Sequence, residues 1–141
     1  MANVIPFAFR GELFTGTHNF ASGGDSFKLA LYTSNPYDTS STVYVTTNEV
    51  SSSGTNYTAA GNALTGNAVV AATAVASCDF ADTTWTTATI TATHAALYND
   101  DQSDKLCVIL DFGGSFTCTN GTFKVSFPSP STAADAIISM A

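Results

Sequence analysis

The sequence predicts an all-β protein, a single β-sandwich or jelly-roll-like domain preceded by a short helix, and three observations carry that expectation. Threonine and serine together make up about a quarter of the 141 residues, and threonine favours the half-buried surface of a strand. Charged residues, the usual coat of surface helices, amount to only 11%, against roughly 25% in an ordinary soluble domain. From Ser26 onward the apolar residues recur with a period of two, in short runs divided by turn residues. A chain of 14.6 kDa is long enough for one core and too short for two ordinary domains.

Residues 4–16 predict the helix: Pro6 fits its first turn, Phe7, Arg10, Leu13 and Phe14 form an apolar stripe, and Gly16 closes it. Phe27, Leu29 and Leu31 alternate with Lys28, Ala30 and Tyr32 as a strand. Asn35-Pro36-Tyr37-Asp38 is turn chemistry, because proline fixes φ and Asn and Asp bond their own backbone. Val43 and Val45 mark a short strand, and Ser51 to Asn56 a polar loop. Ala63 to Phe80 is a long, mild run of Val and Ala that contains one strand and a bend. Trp85 to Tyr98 is the longest alternating run, with Ala88, Ile90, Ala92, His94, Ala96 and Tyr98 on one face and Thr87, Thr89, Thr91 and Thr93 on the other. The acidic stretch Asn99 to Asp104 joins it to a second strand carrying Leu106, Val108, Leu110 and Phe112, as a hairpin. Gly113-Gly114 and Asn120-Gly121 punctuate the next segments, Phe123, Val125 and Phe127 form a further strand, and Ala136 to Met140 a last one. Residues 1–20 thus form an N-terminal helical and contact segment, and 21–141 the sandwich domain.

Composition excludes several functions. Eleven acidic and four basic residues give a net charge of −7. The four cations, Arg10, Lys28, Lys105 and Lys124, are scattered singly, so no basic stripe exists to neutralise phosphates, and neither nucleic acid nor an anionic membrane surface is an expected partner. The first seven residues carry no basic stretch leading an apolar one, and no run approaches the ~18 apolar residues of a membrane span. No secretory leader is therefore expected. Cys78, Cys107 and Cys118 are an odd set, which suits free thiols in a reducing compartment.

Catalytic constellations are missing at the level of motif. No serine lies in a Gly-x-Ser-x-Gly elbow, no histidine neighbours a cysteine in the chain, and no phosphate-cradling glycine loop occurs. The cysteine spacing does not suit zinc, and Asp100, Asp101 and Asp104 lack the spacing of a calcium loop, so this stretch reads as a solvated hairpin tip and no metal or cofactor is expected. His94 lies in phase with apolar neighbours, as a hydrogen-bonded core histidine would, and His18 follows the helix, where a cation would complement its C-terminal dipole. The expectation is a protein without enzymatic activity.

Several phrases, in order, carry a likeness: Phe27-Lys28-Leu29-Ala30-Leu31-Tyr32-Thr33-Ser34, Thr47-Asn48-Glu49-Val50-Ser51, Tyr57-Thr58-Ala59-Ala60-Gly61-Asn62-Ala63-Leu64, Thr84 to Ala92, Ala96-Leu97-Tyr98-Asn99-Asp100, Leu110-Asp111-Phe112-Gly113 and Asn120-Gly121-Thr122-Phe123. Together they resemble a family of small structural (virion) proteins of tailed bacteriophages. The resemblance implies a compact β domain behind a short helix, with no catalytic residues to carry over. It points to a virion protein made in the bacterial host cytoplasm, most simply a capsid decoration or cement protein. The implied partners are the major capsid protein or another virion protein, and further copies of the chain, with a trimer as the expected homo-oligomer. A component of the tail, neck or fibre is the alternative within that class. Outside it stand a carbohydrate-binding adhesion module, which would need exposed aromatics such as Trp85, Tyr57 or Tyr37, and a small hydrolase, which would need His94 or a carboxylate pair open to a cleft. The aromatic supply of Phe7, Phe9, Phe14 and Phe20 exceeds what one short segment needs for a core, so these four are the expected subunit contacts. A chain lacking residues 1–20 is expected to fold but to lose assembly.

Overall fold

The computed structural model describes residues 3–72, 74–128 and 136–140. Among the described residues one α-helix, α1 (Phe7–Phe14), precedes seven strands: β1 (Phe27–Tyr32), β2 (Asn62–Ala63), β3 (Ala68–Ala72), β4 (Val75–Asp79), β5 (Thr83–Asn99), β6 (Lys105–Val125) and β7 (Ile138–Met140). They build two antiparallel sheets, one ordered β2-β1-β5-β6 and the other β3-β4-β7. The fold is all-β and sandwich-like, as the composition and the two-residue period predict.

The main core lies between the sheets. Phe27, Leu29 and Leu31 from β1 meet Ile90, Ala92, Ala95 and Leu97 from β5 and Cys78, Phe80 and Ile138 from the small-sheet side. A second cluster forms on the opposite face of the larger sheet, where Ala30, Tyr32, Ala96, Tyr98, Leu106 and Ile109 pack with Tyr37 and, at the margin, Val4, Tyr44 and Val45. Hence β1 is buried on both faces. The cover on that second face is the long irregular segment 33–61, not a third sheet.

Four details differ from the sequence expectation. The alternation of β5 does not hold through His94, because its register with β6 shifts between Ala92 and His94. Ala88, Ile90 and Ala92 face the inter-sheet core, whereas Ala96 and Tyr98 face the second cluster, and Ala95 and Leu97 take over the inner positions. A bulge inserts one residue and exchanges the faces beyond it. Gly113-Gly114 and Asn120-Gly121 do not end strands. Gly113 (φ +74°) and Asn120 (φ +47°) adopt left-handed backbone within β6, which runs unbroken to Val125. Residues 63–80 hold two strands where one and a bend were expected, β3 and β4 pairing as a hairpin of the second sheet behind the two-residue β2. Val43 forms a single bridge to Lys105 rather than a strand.

The helix also turns differently. Phe9 is its one buried residue, and the inward side carries Phe9, Glu12 and Leu13, while Phe7 and Phe14, members of the apolar stripe, face out. Glu12 decides the rotation, since its carboxylate is claimed by Lys105 and His18. Phe9 and Phe20 belong to the inter-sheet core, where Phe20 stacks on Phe27 and meets Phe9 and Phe80 edge to face, and Phe9 lies tilted against His18. Within residues 3–20, Phe9 and Phe20 are thus core residues, so this stretch is not a contact segment alone.

Candidate functional site

A cluster of polar and titratable side chains sits under helix α1. Glu12 comes from the helix, His18 and Asp25 from the connection to β1, Asn99 from the end of β5, and Lys105 and Cys107 from the start of β6. The helix and the β5–β6 hairpin are thereby tied across the chain. Asn99 donates from Nδ2 to His18 Nδ1 at 3.0 Å and to Asp25 Oδ2 at 2.8 Å. Because Nδ1 accepts that bond, the imidazole proton sits on Nε2 and is donated to Glu12 Oε2 at 2.8 Å. Lys105 Nζ donates to Glu12 Oε1 at 2.6 Å. Burial raises the Glu12 carboxyl, but the hydrogen bonds from Lys105 and His18 outweigh it and hold the group below its ordinary value. Asp25 is likewise lowered, burial being outweighed by the Asn19 backbone N–H and the Asn99 amide.

Cys107 Sγ lies 4.0 Å from His18 Nδ1, so thiol, imidazole and carboxylate occur in the sequence of a nucleophile, base and orienting acid. The chain separation of 89 residues between His18 and Cys107 hid this grouping from the sequence. Its chemistry is closed, however. Cys107 and the His18 side chain are fully enclosed, with the Phe9 ring centroid 5.0 Å from the imidazole. Burial pushes the Cys107 thiol well above its ordinary value, which suppresses the thiolate that would attack. The imidazole lone pair is already engaged by Asn99. What this cluster does is fix the helix to the sheet.

A second polar centre gathers all five tyrosines of the chain around Glu49. Glu49 accepts from Tyr44 Oη (2.5 Å), Tyr57 Oη (2.8 Å) and the Ala60 backbone N–H (2.8 Å). Tyr57 Oη in turn accepts from Leu31 N at 3.0 Å, and Tyr98 Oη donates to Ala60 O at 2.6 Å. Tyr32 and Tyr37 join hydroxyls at 2.6 Å and grip both the N–H and C=O of Val45. These bonds fasten the irregular segment 33–61 to β1 and β5. Gly61 (φ +83°) completes the fit, since a Cβ there would strike the Leu29 carbonyl of β1.

The surface presents different material. Trp85, Tyr57 and Tyr37 are all buried, Trp85 stacking on Tyr57 at 5.8 Å, so none is available as a sugar platform. His94 is largely enclosed, bonded through Nδ1 to Thr93 Oγ1 at 2.8 Å and with Nε2 3.7 Å from Asp111. At the hairpin tip Asp100 pairs with Lys28 at 2.9 Å and Asp101 accepts the Ser26 N–H at 2.7 Å. Among the described residues no group of three His, Cys, Asp or Glu side chains is placed to hold a metal ion, and no helix is long and apolar enough to cross a membrane. The outer half of the β5–β6 ribbon exposes the hydroxyls of Thr84, Thr86, Thr89 and Thr91 on β5 and of Thr117 and Thr119 on β6; Thr91 bonds Thr117 across the strands at 2.9 Å, and Thr89 Oγ1 accepts the Asn120 N–H at 3.1 Å. Beside it an open concavity of about 680 Å³ is lined by Phe112, Phe116, Phe123, Phe127 and Ile137.

No protein-family model, curated protein or solved structure matches this chain. The four phenylalanines expected at subunit contacts divide in two. Phe9 and Phe20 are enclosed by the chain's own core, and Phe7 and Phe14 stand at the surface, 60% and 95% exposed. With Phe116 they are the exposed aromatic rings among the described residues. The His18–Cys107 pair is thus enclosed, while the rings of Phe7, Phe14 and Phe116 face outward.

Proposed function

We propose that this chain is a non-enzymatic structural protein of a tailed-bacteriophage virion, made in the host cytoplasm, that decorates the outer capsid shell and cements the junctions between capsomers. One observation carries the reading: the surface presents exposed phenylalanines and threonine rows on a β framework, material suited to packing against protein. The resemblance in sequence supports the same class. Rigidity comes from β-branched residues with restricted χ1 and from few long side chains that would need ordering on binding. The net charge of −7 suits the outside of a shell, since a luminal protein would face packaged phosphate. Further copies of the chain and the major capsid protein, or another virion protein, are its partners.

The test compares particles with and without this protein on heating and osmotic shock. Decorated particles survive conditions that release DNA from bare ones. Because the contact surface holds few charges, the protein stays attached in molar salt. Equal robustness of both particle types overturns the cement role.

A further inference from the structure

On α1, Phe7, Arg10, Gly11 and Phe14 fall at i, i+3, i+4 and i+7, a spacing that sets them on one side of the helix, and all four are exposed. Phe9, Glu12 and Leu13 lie on the side turned to the domain. A surface helix ordinarily turns its apolar stripe inward and its charges to water; α1 keeps a carboxylate inside and two rings outside. Arg10 lies between those rings. Its guanidinium carbon is 5.2 Å from the centroid of the Phe7 ring, and Nη2 donates to Ile5 O at 3.2 Å. The three lysines are each matched with a carboxylate, Lys28 with Asp100, Lys105 with Glu12 and Lys124 with Asp82. Among the described residues Arg10 has none within 4.0 Å, although the chain holds eleven acidic residues. Beside it a Cβ added at Gly11 would meet nothing within 4 Å, so the helix backbone lies open between the rings.

We infer that this face docks a protein segment presenting a carboxylate among apolar side chains, the carboxylate bonding the Arg10 guanidinium and the apolar side chains packing on Phe7 and Phe14. Charge complementarity decides the occupant. An arginine left without a carboxylate by a chain of net charge −7 is matched by an anion from outside it. A guanidinium stacked on a ring presents its planar fork to a carboxylate in two-pronged fashion. The flanking rings keep water from the pair, which strengthens it. Arginine and aromatic side chains together are the composition of interface centres. Nucleic-acid phosphate is repelled by the net charge, and a second copy of the chain meets the same repulsion. The inference rests on the decorating role proposed above, with the shell protein supplying the segment.

Particles made without this protein, mixed with the purified full chain and sedimented, test it. The wild type binds, and it stays bound in molar salt because an enclosed pair is screened little. Phe14→Ser and Arg10→Glu each weaken binding about tenfold or more. Arg10→Leu does the same although it adds apolar surface, and Arg10→Lys keeps part of the affinity through its charge. Lys28→Glu makes the same charge change at a side chain already paired with Asp100 and leaves binding unchanged. Circular dichroism stays that of a folded protein in the Arg10 and Phe14 variants, because both side chains are exposed. Wild-type binding by Arg10→Leu or Arg10→Glu overturns the inference while the decoration reading stands. An equal loss from Lys28→Glu reduces the effect to net charge and overturns it too. Self-association of the wild type that Arg10→Glu abolishes makes a second copy the occupant, which also overturns it. A wild type that ignores the particles overturns the decoration reading, and this contact with it.

Discussion

Replacing Glu49 by alanine removes the acceptor at the centre of the tyrosine cluster, and the structure allows the loss to be worked out bond by bond. Tyr57 is 3% exposed, and its Oη proton would be left buried without an acceptor, at a cost of about 1–3 kcal/mol. Tyr44 and Ala60 are half-buried, so water reaches their freed donors and each costs about 0.5–1 kcal/mol. The sum is about 3 kcal/mol, which for a domain of this size lowers Tm by about 10 °C. Glu49→Gln keeps an oxygen for Tyr57 Oη and Ala60 N and turns an amide N–H toward Tyr44 Oη, which accepts it. The glutamine variant should lose no more than about 1 kcal/mol. Thermal unfolding followed by near-ultraviolet circular dichroism measures both, and amide exchange at Thr33 and Val50, whose N–H groups bond Asn48 O and Leu31 O, localises the loosening to segment 33–61. Equal melting of the two variants, or an alanine variant within about 2 °C of wild type, would refute the view that Glu49 fastens this segment.

The buried polar chemistry makes two further outcomes testable. Glu12 titrates below its ordinary value of 4.5, so the folded state favours its charged form. The stability this contributes is present above pH 4.5 and lost as pH falls through the lower folded value. Glu12→Gln should melt earlier at pH 7 and lose less on acidification, and parallel melting curves across that window would contradict the assignment. Burial pushes the Cys78 thiol up to about 12 and the Cys107 thiol higher still, while Cys118 is partly exposed. A disulfide reagent at neutral pH should therefore label at most one thiol in the native protein and three in denaturant, and rapid native labelling of Cys107 would show that the cluster beneath α1 is open.

Much of the fold was legible because local pattern and tertiary position agree. The alternation from Phe27 to Tyr32 and the apolar rhythm on both sides of the Asn99–Asp104 tip produce the two central strand pairings. What the pattern missed has identifiable causes. A register shift near Ala92 and His94 exchanges the faces of β5, and periodicity assumes that no such shift occurs. Gly113 and Asn120 have the residue types of turns but spend their left-handed φ on irregularities inside β6. The helix rotates to satisfy Glu12, whose partners His18 and Lys105 no helical period can reveal. Segment 33–61 lacks periodicity because hydroxyl bonds to Glu49 and to backbone groups hold it, rather than a strand ladder. The Glu12–His18–Cys107 grouping is long-range by nature, and burial, which closes its chemistry, is invisible in a spacing.

A shell-decorating role is tested most directly by the abundance of this protein and its place on the particle. Gel densitometry against the major capsid protein, with immunogold labelling of intact virions, measures both. Decoration requires hundreds of copies spread over the outer face of the head, the number that repeated weak contacts at equivalent capsomer junctions demand. A few tens of copies or fewer, with label confined to the tail or neck, would contradict that role and move the protein to the tail apparatus.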